Sequence, residues 1–206
     1  MIVKAVDNVN LKIEPKEFIL VTGRSGSGKT TLLNLISGLT KPTRGSVYIE
    51  GVDIWTLSDK DRSRLRSQKI GFIFQFSSLI PTLNVMDNLL LPTMFQRTKT
   101  NPYDKAAELL NMVGLAERIE AYPSQLSMGE QKRVAIARAL MNNPEIILAD
   151  EPTADLDEAT EKEIMEIIRK IHDNGATIIM VTHNPELASY ASRRLKMASG
   201  VLTEVA

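Results

Sequence analysis

Eight consecutive residues, Gly23 to Thr30 (GRSGSGKT), combine three glycines, a lysine and a closing hydroxyl at the spacing of a loop that holds a polyphosphate. Glycines at 23, 26 and 28 let the backbone curl until successive N–H groups point inward. With the positive end of a following helix, those donors suit an anion of several charges. Lys29 adds a point charge for the terminal phosphates, and the Thr30 hydroxyl can ligate Mg²⁺. The contact set expected on the nucleotide is Gly23, Arg24, Ser25, Gly26, Ser27, Gly28, Lys29, Thr30 and, one step into the helix, Thr31. Strand, glycine turn and helix is the order in which such a loop works. The apolar run Phe18–Val21 supplies the strand, and Thr31–Ile36, stopping near Gly38, supplies the helix. This chemistry is nucleoside triphosphate binding.

Two further stretches extend it. Ile146 to Glu151 reads as a buried strand ending in two acids. A carboxylate at a strand's C-terminal end beside a phosphate loop can hold Mg²⁺, which assigns that part to Asp150. The next acid, Glu151, is then placed to polarise an attacking water. The second stretch is Leu126-Ser-Met-Gly-Glu130, opening the run Gln131 to Leu140. Ser127 and Glu130 have capping-box spacing, and a capped helix N-terminus with a glycine beside it is also an anion site.

The elements that must carry these residues alternate. Leu11 and Ile13 suggest a β opening before the strand at 18–21, and Val47–Ile49 and Ile70–Phe74 are short strands rich in β-branched and aromatic residues. From about Pro81 the character changes to helices, expected at Asn84–Met94, Tyr103–Val113 and Ser127–Asn142. Alternation then resumes with a strand at Glu145–Ala149 and a helix whose face is Ile164, Ile167, Ile168 and Ile171. A buried strand at Thr177–Thr182, a short helix after Pro185 and a hairpin at Ser199-Gly200 close the chain. The reading is an α/β core interrupted by a helical insert at about 78–142.

Composition narrows the classes. A chain of 206 residues can bury a sizeable core as one large domain or two lobes. With 25 basic and 25 acidic residues, no overall field draws in nucleic acid. No cysteine is present, which excludes disulfides and thiolate metal sites and fits a reducing compartment. Lys4, Asp7, Asn8 and Lys12 break up any leader-like apolar region, and no apolar run approaches the roughly 20 residues that span a bilayer. The chain is expected to be soluble and intracellular, reaching a membrane only through a partner. The basic run Lys60–Lys69, interspersed with Asp59 and Asp61, reads as a solvated helix face. The nine methionines read as core filler, and Trp55 and Tyr48 as packing residues, with contact to a base the alternative.

Taken together, the motifs resemble those of the nucleotide-binding subunits of ABC transporters, over nearly the whole chain. GRSGSGKT matches Walker A, LSMGE the family signature and ILADEPT Walker B, in family order. Ala154-Asp-Leu-Asp157 matches the D-loop, Val181-Thr-His183 the switch histidine and Phe74-Gln75 the Q-loop. Phe-Ile-Phe-Gln followed by Leu-Ile-Pro-Thr-Leu, with Tyr122-Pro-Ser-Gln-Leu-Ser, is similar to the branch serving lipoprotein release, macrolide export and a cell-division complex.

The resemblance implies a P-loop NTPase core, a RecA-like, mostly parallel sheet with flanking helices. An antiparallel β portion and an inserted α-helical subdomain complete the fold. Residues 1–77 and 143–206 would form the ATP-binding core, and 78–142 the helical subdomain with the signature. It implies a Mg²⁺-dependent ATPase that dimerises head-to-tail with a second copy of itself around two ATP molecules. Each ATP would meet the phosphate loop of one chain and Ser127 and Gly129 of the other. Gln75 would touch Mg²⁺ and the attacking water, His183 the γ-phosphate, and Asp157 both its own helix and the opposite site. The subunit would lie on the inner face of the cell membrane, held there by an integral membrane permease, with no nucleic-acid partner. Phe76, Leu79, Ile80 and Leu83 are the expected docking set for that permease.

Two departures stand out. Met128 replaces the first signature glycine, which implies weaker dimer closure, since only its backbone N–H can still approach a phosphate. No aromatic precedes Phe18 where the family stacks adenine. Either the chain begins late or aliphatic residues alone hold the base. The rival readings are an ATP-gated recruitment module of a cell-division-type complex, and a soluble ABC ATPase acting on DNA or ribosomes. Against the second stand the lack of a long coiled-coil insert, a zinc hook and a second cassette. No N-K-x-D motif speaks for a GTPase.

Overall fold

Along Phe18–Thr22 (β1), successive side chains enter opposite apolar clusters: Phe18 and Leu20 join one, Ile19 and Val21 the other. A strand that is apolar on both faces must lie inside a covered sheet, and the computed structural model, which describes residues 4–95 and 101–205, puts β1 there. Its neighbours are Thr177–Thr182 (β6) and Arg193–Ala198 (β7), both parallel to it. Ile146–Asp150 (β5) and Ile70–Ile73 (β4) continue the parallel sheet beyond β6, while Val201–Val205 (β8) closes the other edge antiparallel to β7. Tyr48–Ile49 (β2) and Val52–Asp53 (β3) form a separate antiparallel hairpin.

Among the described residues six α-helices surround this sheet: Lys29–Ile36 (α1), Asp59–Lys69 (α2), Val85–Leu90 (α3), Pro102–Met112 (α4), Met128–Ala139 (α5) and Glu158–Asp173 (α6). Each begins where its sequence supplies a stop for the orphan N–H groups: Ser58, Asn84, Asn101, Ser127 and Asp157 all cap with their side chains, and only α1 starts without one. On α6, Ile164, Ile167, Ile168 and Ile171 form the expected buried stripe. At about 1.5–3 kcal/mol for each fully buried side chain, that stripe is what docks the helix. One cluster joins α3, α4, α5 and α6 to one face of the sheet, and Leu32 and Leu33 of α1 cover the other.

The structure corrects several sequence expectations. Leu11 and Ile13 are not in a strand; they run extended and pack partly buried against the α1 face, tied by single bonds such as Arg193 Nη1 to the Lys12 carbonyl at 2.8 Å. Alternation needs a ladder partner to become a strand, and among the described residues this segment has none. The Asn84–Met94 helix is α3 followed by a 3₁₀ turn, Leu91–Phe95, because Pro92 cannot continue the ladder. The basic run is a helix without buried residues, as expected, but it is not idle: Arg62 lies 4.2 Å over the Trp55 ring, and Arg66 donates to the Gly38 carbonyl at 3.0 Å. Met1 to Val3, where the missing adenine-stacking aromatic was noted, and position 206 lie outside the described residues.

Candidate nucleotide site

The parallel strands β4, β5, β6 and β1 end on one rim, and Gly23–Thr31, Gln75, Asp150, Glu151 and His183 lie at those strand ends. After β1 the chain turns through Gly23–Gly28 into α1. Gly28 has φ 107°, and a Cβ there would stand 2.0 Å from the Ala5 carbonyl oxygen, so only glycine fits. A Cβ at Gly23 would meet the Met197 carbonyl at 2.4 Å. The loop is thus clamped between the N-terminal segment and β7, while Arg24, Ser25 and Gly26 face solvent. The Ser27 hydroxyl is buried and has no partner among the described residues. An orphaned buried hydroxyl in a glycine-rich turn fits a phosphate oxygen.

Lys29 is only 5% exposed. Its ammonium donates back to the Gly23 carbonyl at 2.9 Å and pairs with the Glu151 carboxylate at 3.2 Å. Next to it, the Thr30 hydroxyl donates to Asp150 at 3.2 Å, and Thr31 is half-buried in the first turn of α1. Burial pushes the Asp150 carboxyl above its ordinary range; the Thr30 bond and the Lys29 charge pull it down, and the Glu151 charge pushes it up. A shielded carboxylate beside a hydroxyl wants a cation. Among the described residues no three His, Cys, Asp or Glu side chains gather as a metal cage. A divalent ion would take few ligands from the protein, Thr30 and Asp150 with Gln75 as the expected third, and its remaining oxygens from phosphates and water, which is the habit of Mg²⁺.

Glu151 sits at φ 46°, left-handed for a residue with a side chain, and its N–H is held by the Val181 carbonyl at 2.9 Å. Such a backbone persists only where its surroundings over-determine it, and such residues cluster at working sites. The carboxylate lies between Lys29 and His183, whose Nδ1 it meets in a hydrogen bond. Gln75 is exposed just past β4; since Ile73 pairs with Ala149, it leaves the sheet beside the Asp150–Glu151 end.

Ser127, Gly129 and Asp157 gather elsewhere. Ser127 accepts from the Glu130 N–H at 3.2 Å, and the Glu130 carboxylate accepts from the Ser127 N–H at 2.8 Å, which holds Glu130 below the usual carboxylate range. Asp157 accepts from the Thr160 N–H at 3.0 Å and from its hydroxyl at 2.7 Å. Gly129 is buried against that cap: a Cβ on it would stand 2.6 Å from the Thr160 methyl. Met128 beside it is 55% exposed. No hydrogen bond or ion pair among the described residues joins Ser127, Gly129 or Asp157 to the phosphate loop of the same chain.

Sequence reasoning missed two features. Lys132 of α5 is 4% exposed, its ammonium donating to the Gln75 carbonyl; burial lowers its pKa and the Asp155 charge raises it. The signal was there, because Lys132 is four residues before buried Ile136, on the helix's inner face. The second is a groove of about 1030 Å³ between α2, β4 and α5. Leu39, Phe72 and Phe74 give it apolar walls, the two phenylalanine rings stacked at 4.3 Å, and Arg64, Arg66 and Arg138 give it charge. Lys60 adds a fourth cation, and among the described residues no acidic side chain lines the groove. Of the expected docking set, Phe76 is 72% and Ile80 41% exposed, while Leu79 and Leu83 are half-buried.

Comparison with known proteins agrees with this geometry. The family profile described as ABC transporter matches residues 6–154. An uncharacterised ABC transporter ATP-binding protein of Methanocaldococcus jannaschii is 48% identical over 202 residues, covering 98% of this chain and 90% of the relative. The lipoprotein-releasing system ATP-binding protein LolD of Aquifex aeolicus is 42% identical over 193 residues, 93% of this chain and 86% of LolD. The macrolide export ATP-binding/permease protein MacB of Rhodopirellula baltica is 43% identical over 95% of this chain, which spans only 29% of MacB. A solved dimer of an ATP-binding cassette in a post-hydrolysis state, bound to ADP and Pi, superposes with a TM-score of 0.89 at 41% identity, covering 98% of this chain and 91% of that one.

Proposed function

The chain belongs to the ABC transporter family, and from that premise we propose that it is the Mg²⁺-dependent ATPase subunit of a membrane transporter. The observation that carries the reading is the cluster Lys29, Glu151 and His183 beside Thr30–Asp150, on one rim of the sheet. The loop amides and Lys29 bind the β- and γ-phosphates. Asp150, Thr30 and Gln75 would hold Mg²⁺, which when bound would neutralise charge on those phosphates. The Glu151 carboxylate accepts the proton of the attacking water while the bond from the γ-phosphorus to the bridging oxygen breaks, leaving ADP and phosphate. Gln75 orients that water, and His183 donates to the γ-phosphate.

Residues 1–77 and 143–206 form the ATP-binding core in this reading, and 78–142 the helical subdomain. Ser127 and Gly129, which make no bond to their own phosphate loop among the described residues, serve the loop of a second copy in a head-to-tail dimer. No helix among the described residues is long and apolar enough to cross a membrane. Attachment to the inner face would run through a permease, a reading supported by MacB's name, which joins ATP-binding and permease. The cell-division alternative keeps the ATPase and replaces cargo with recruitment.

Phosphate release from ATP and from GTP, with Mg²⁺ and with chelator, tests the activity. Aromatic stacking on a base is worth on the order of 1–3 kcal/mol. Where aliphatic residues alone hold the base, the two nucleotides should bind within about tenfold of each other. A hundredfold preference for ATP would reveal a missed adenine contact. No release from either nucleotide would overturn the ATPase assignment.

The docking surface is the groove and the adjoining exposed pair Phe76 and Ile80. An apolar wall with three arginines and no acid suits a short permease helix. The double variant Phe76→Asp, Ile80→Asp should fold, keep basal hydrolysis and lose co-purification with the membrane partner. Continued binding by the double variant would move the docking site elsewhere.

A further inference from the structure

The helix that carries the signature also grips the segment that carries Gln75. From α5, the buried Lys132 ammonium donates to the Gln75 carbonyl. The Arg138 guanidinium donates to the Ser77 and Ser78 carbonyls, both at 2.8 Å. Gln131 accepts from the Ser77 hydroxyl at 3.1 Å and donates to the Pro123 carbonyl at 3.0 Å. Arg138 and Gln131 hold the segment past Gln75; Lys132 alone of the three holds Gln75 itself.

That contact is an expensive way to fill the space. A buried ammonium loses its hydration, and no carboxylate lies within ion-pair distance of Lys132 among the described residues. Replacing buried charged groups by apolar side chains of similar volume is often neutral or stabilising. The position therefore favours placement of its acceptor over stability. Fixing the Gln75 carbonyl fixes the peptide plane that follows it and the direction in which the Gln75 side chain leaves the backbone.

We propose that Lys132 is a positioning residue for hydrolysis: clamping the Gln75 carbonyl to α5, it aims the Gln75 side chain and ties that aim to the helix carrying Ser127 and Gly129. This rests on the reading of Gln75 as a hydrolysis residue. A second copy that engages Ser127 and Gly129 moves α5, and through Lys132 it moves Gln75, so closure on one nucleotide adjusts the water-orienting group at the other.

A double-mutant cycle on the full chain tests it, using Lys132→Met, Gln75→Ala and the pair, with ATP affinity, kcat and melting temperature measured for each. Misplacement of a reacting group by about 1 Å can lower a rate by up to about 10². Lys132→Met should therefore lower kcat about tenfold, with ATP affinity and melting temperature near those of the parent. In the Gln75→Ala background the same change should lower kcat by less than about twofold, because groups acting through one another do not add. Additive losses, or a loss in affinity as large as that in kcat, would overturn the role of Lys132 and leave Gln75 standing. Parental turnover in Gln75→Ala would remove the reading of Gln75 and this proposal with it. Should Lys132→Met fail to fold, Lys132→Gln, which keeps a donor of shorter reach, goes through the same cycle and must show the same non-additivity.

Discussion

Replacing Glu151 with glutamine is expected to lower steady-state ATP turnover by about 10²-fold or more while leaving nucleotide affinity close to that of the parent. The amide has the size of the carboxylate and can still hydrogen-bond His183, so the rim keeps its shape. What it loses is the lone-pair basicity that takes a proton from water, together with the negative charge that pairs with Lys29 at 3.2 Å. Affinity is expected to hold because the proposed phosphate ligands are the loop amides and Lys29, not Glu151. With product formation blocked, the ATP-bound dimer should persist, and size-exclusion with ATP in the absence of Mg²⁺ would show it. Phosphate release at the parental rate would take Glu151 out of the mechanism.

Gly129→Val should be as damaging by a different route. ATP binding to the monomer should survive, and dimer-dependent hydrolysis should vanish, since a side chain at the helix N-terminus keeps the partner's phosphates at a distance. The packing adds a complication: any Cβ at 129 stands 2.6 Å from the Thr160 methyl, and Thr160 is the residue through which Asp157 caps α6. Disturbing a cap is worth about 1 kcal/mol, enough to blur the interpretation. Adding Thr160→Ser removes the methyl and keeps the hydroxyl, so it relieves the local clash alone. Hydrolysis should stay absent in the pair. If Thr160→Ser restored it, the defect would be local packing and not the shared site.

The parts of the molecule that were legible in sequence are those whose rules are local. Gly23–Thr30 needs only its own spacing, the α6 stripe its own period and α5 its own capping box. The signature, Walker B and switch residues gained meaning by their order along one chain. Position in the sheet was harder. Arg193–Ala198 pairs with β1, some 175 residues earlier in the chain, and its alternation with Lys196 and Arg194 outside gives no hint of a parallel neighbour. Leu11 and Ile13 show the reverse failure, a strand pattern left without a ladder. Lys132 escaped because a lysine in a helix reads as solvated; only the fold brings the Gln75 carbonyl to it.

The left-handed backbone at Glu151 bears on how this protein can change over generations. Glycine adopts φ near 46° without the strain a side chain incurs, so the residue that the geometry of the turn prefers is one with no carboxylate at all. Fold stability and turnover therefore pull this position in opposite directions. With Glu151 as the proposed general base, relaxing the need to hydrolyse ATP removes the reason to hold a side chain in this backbone.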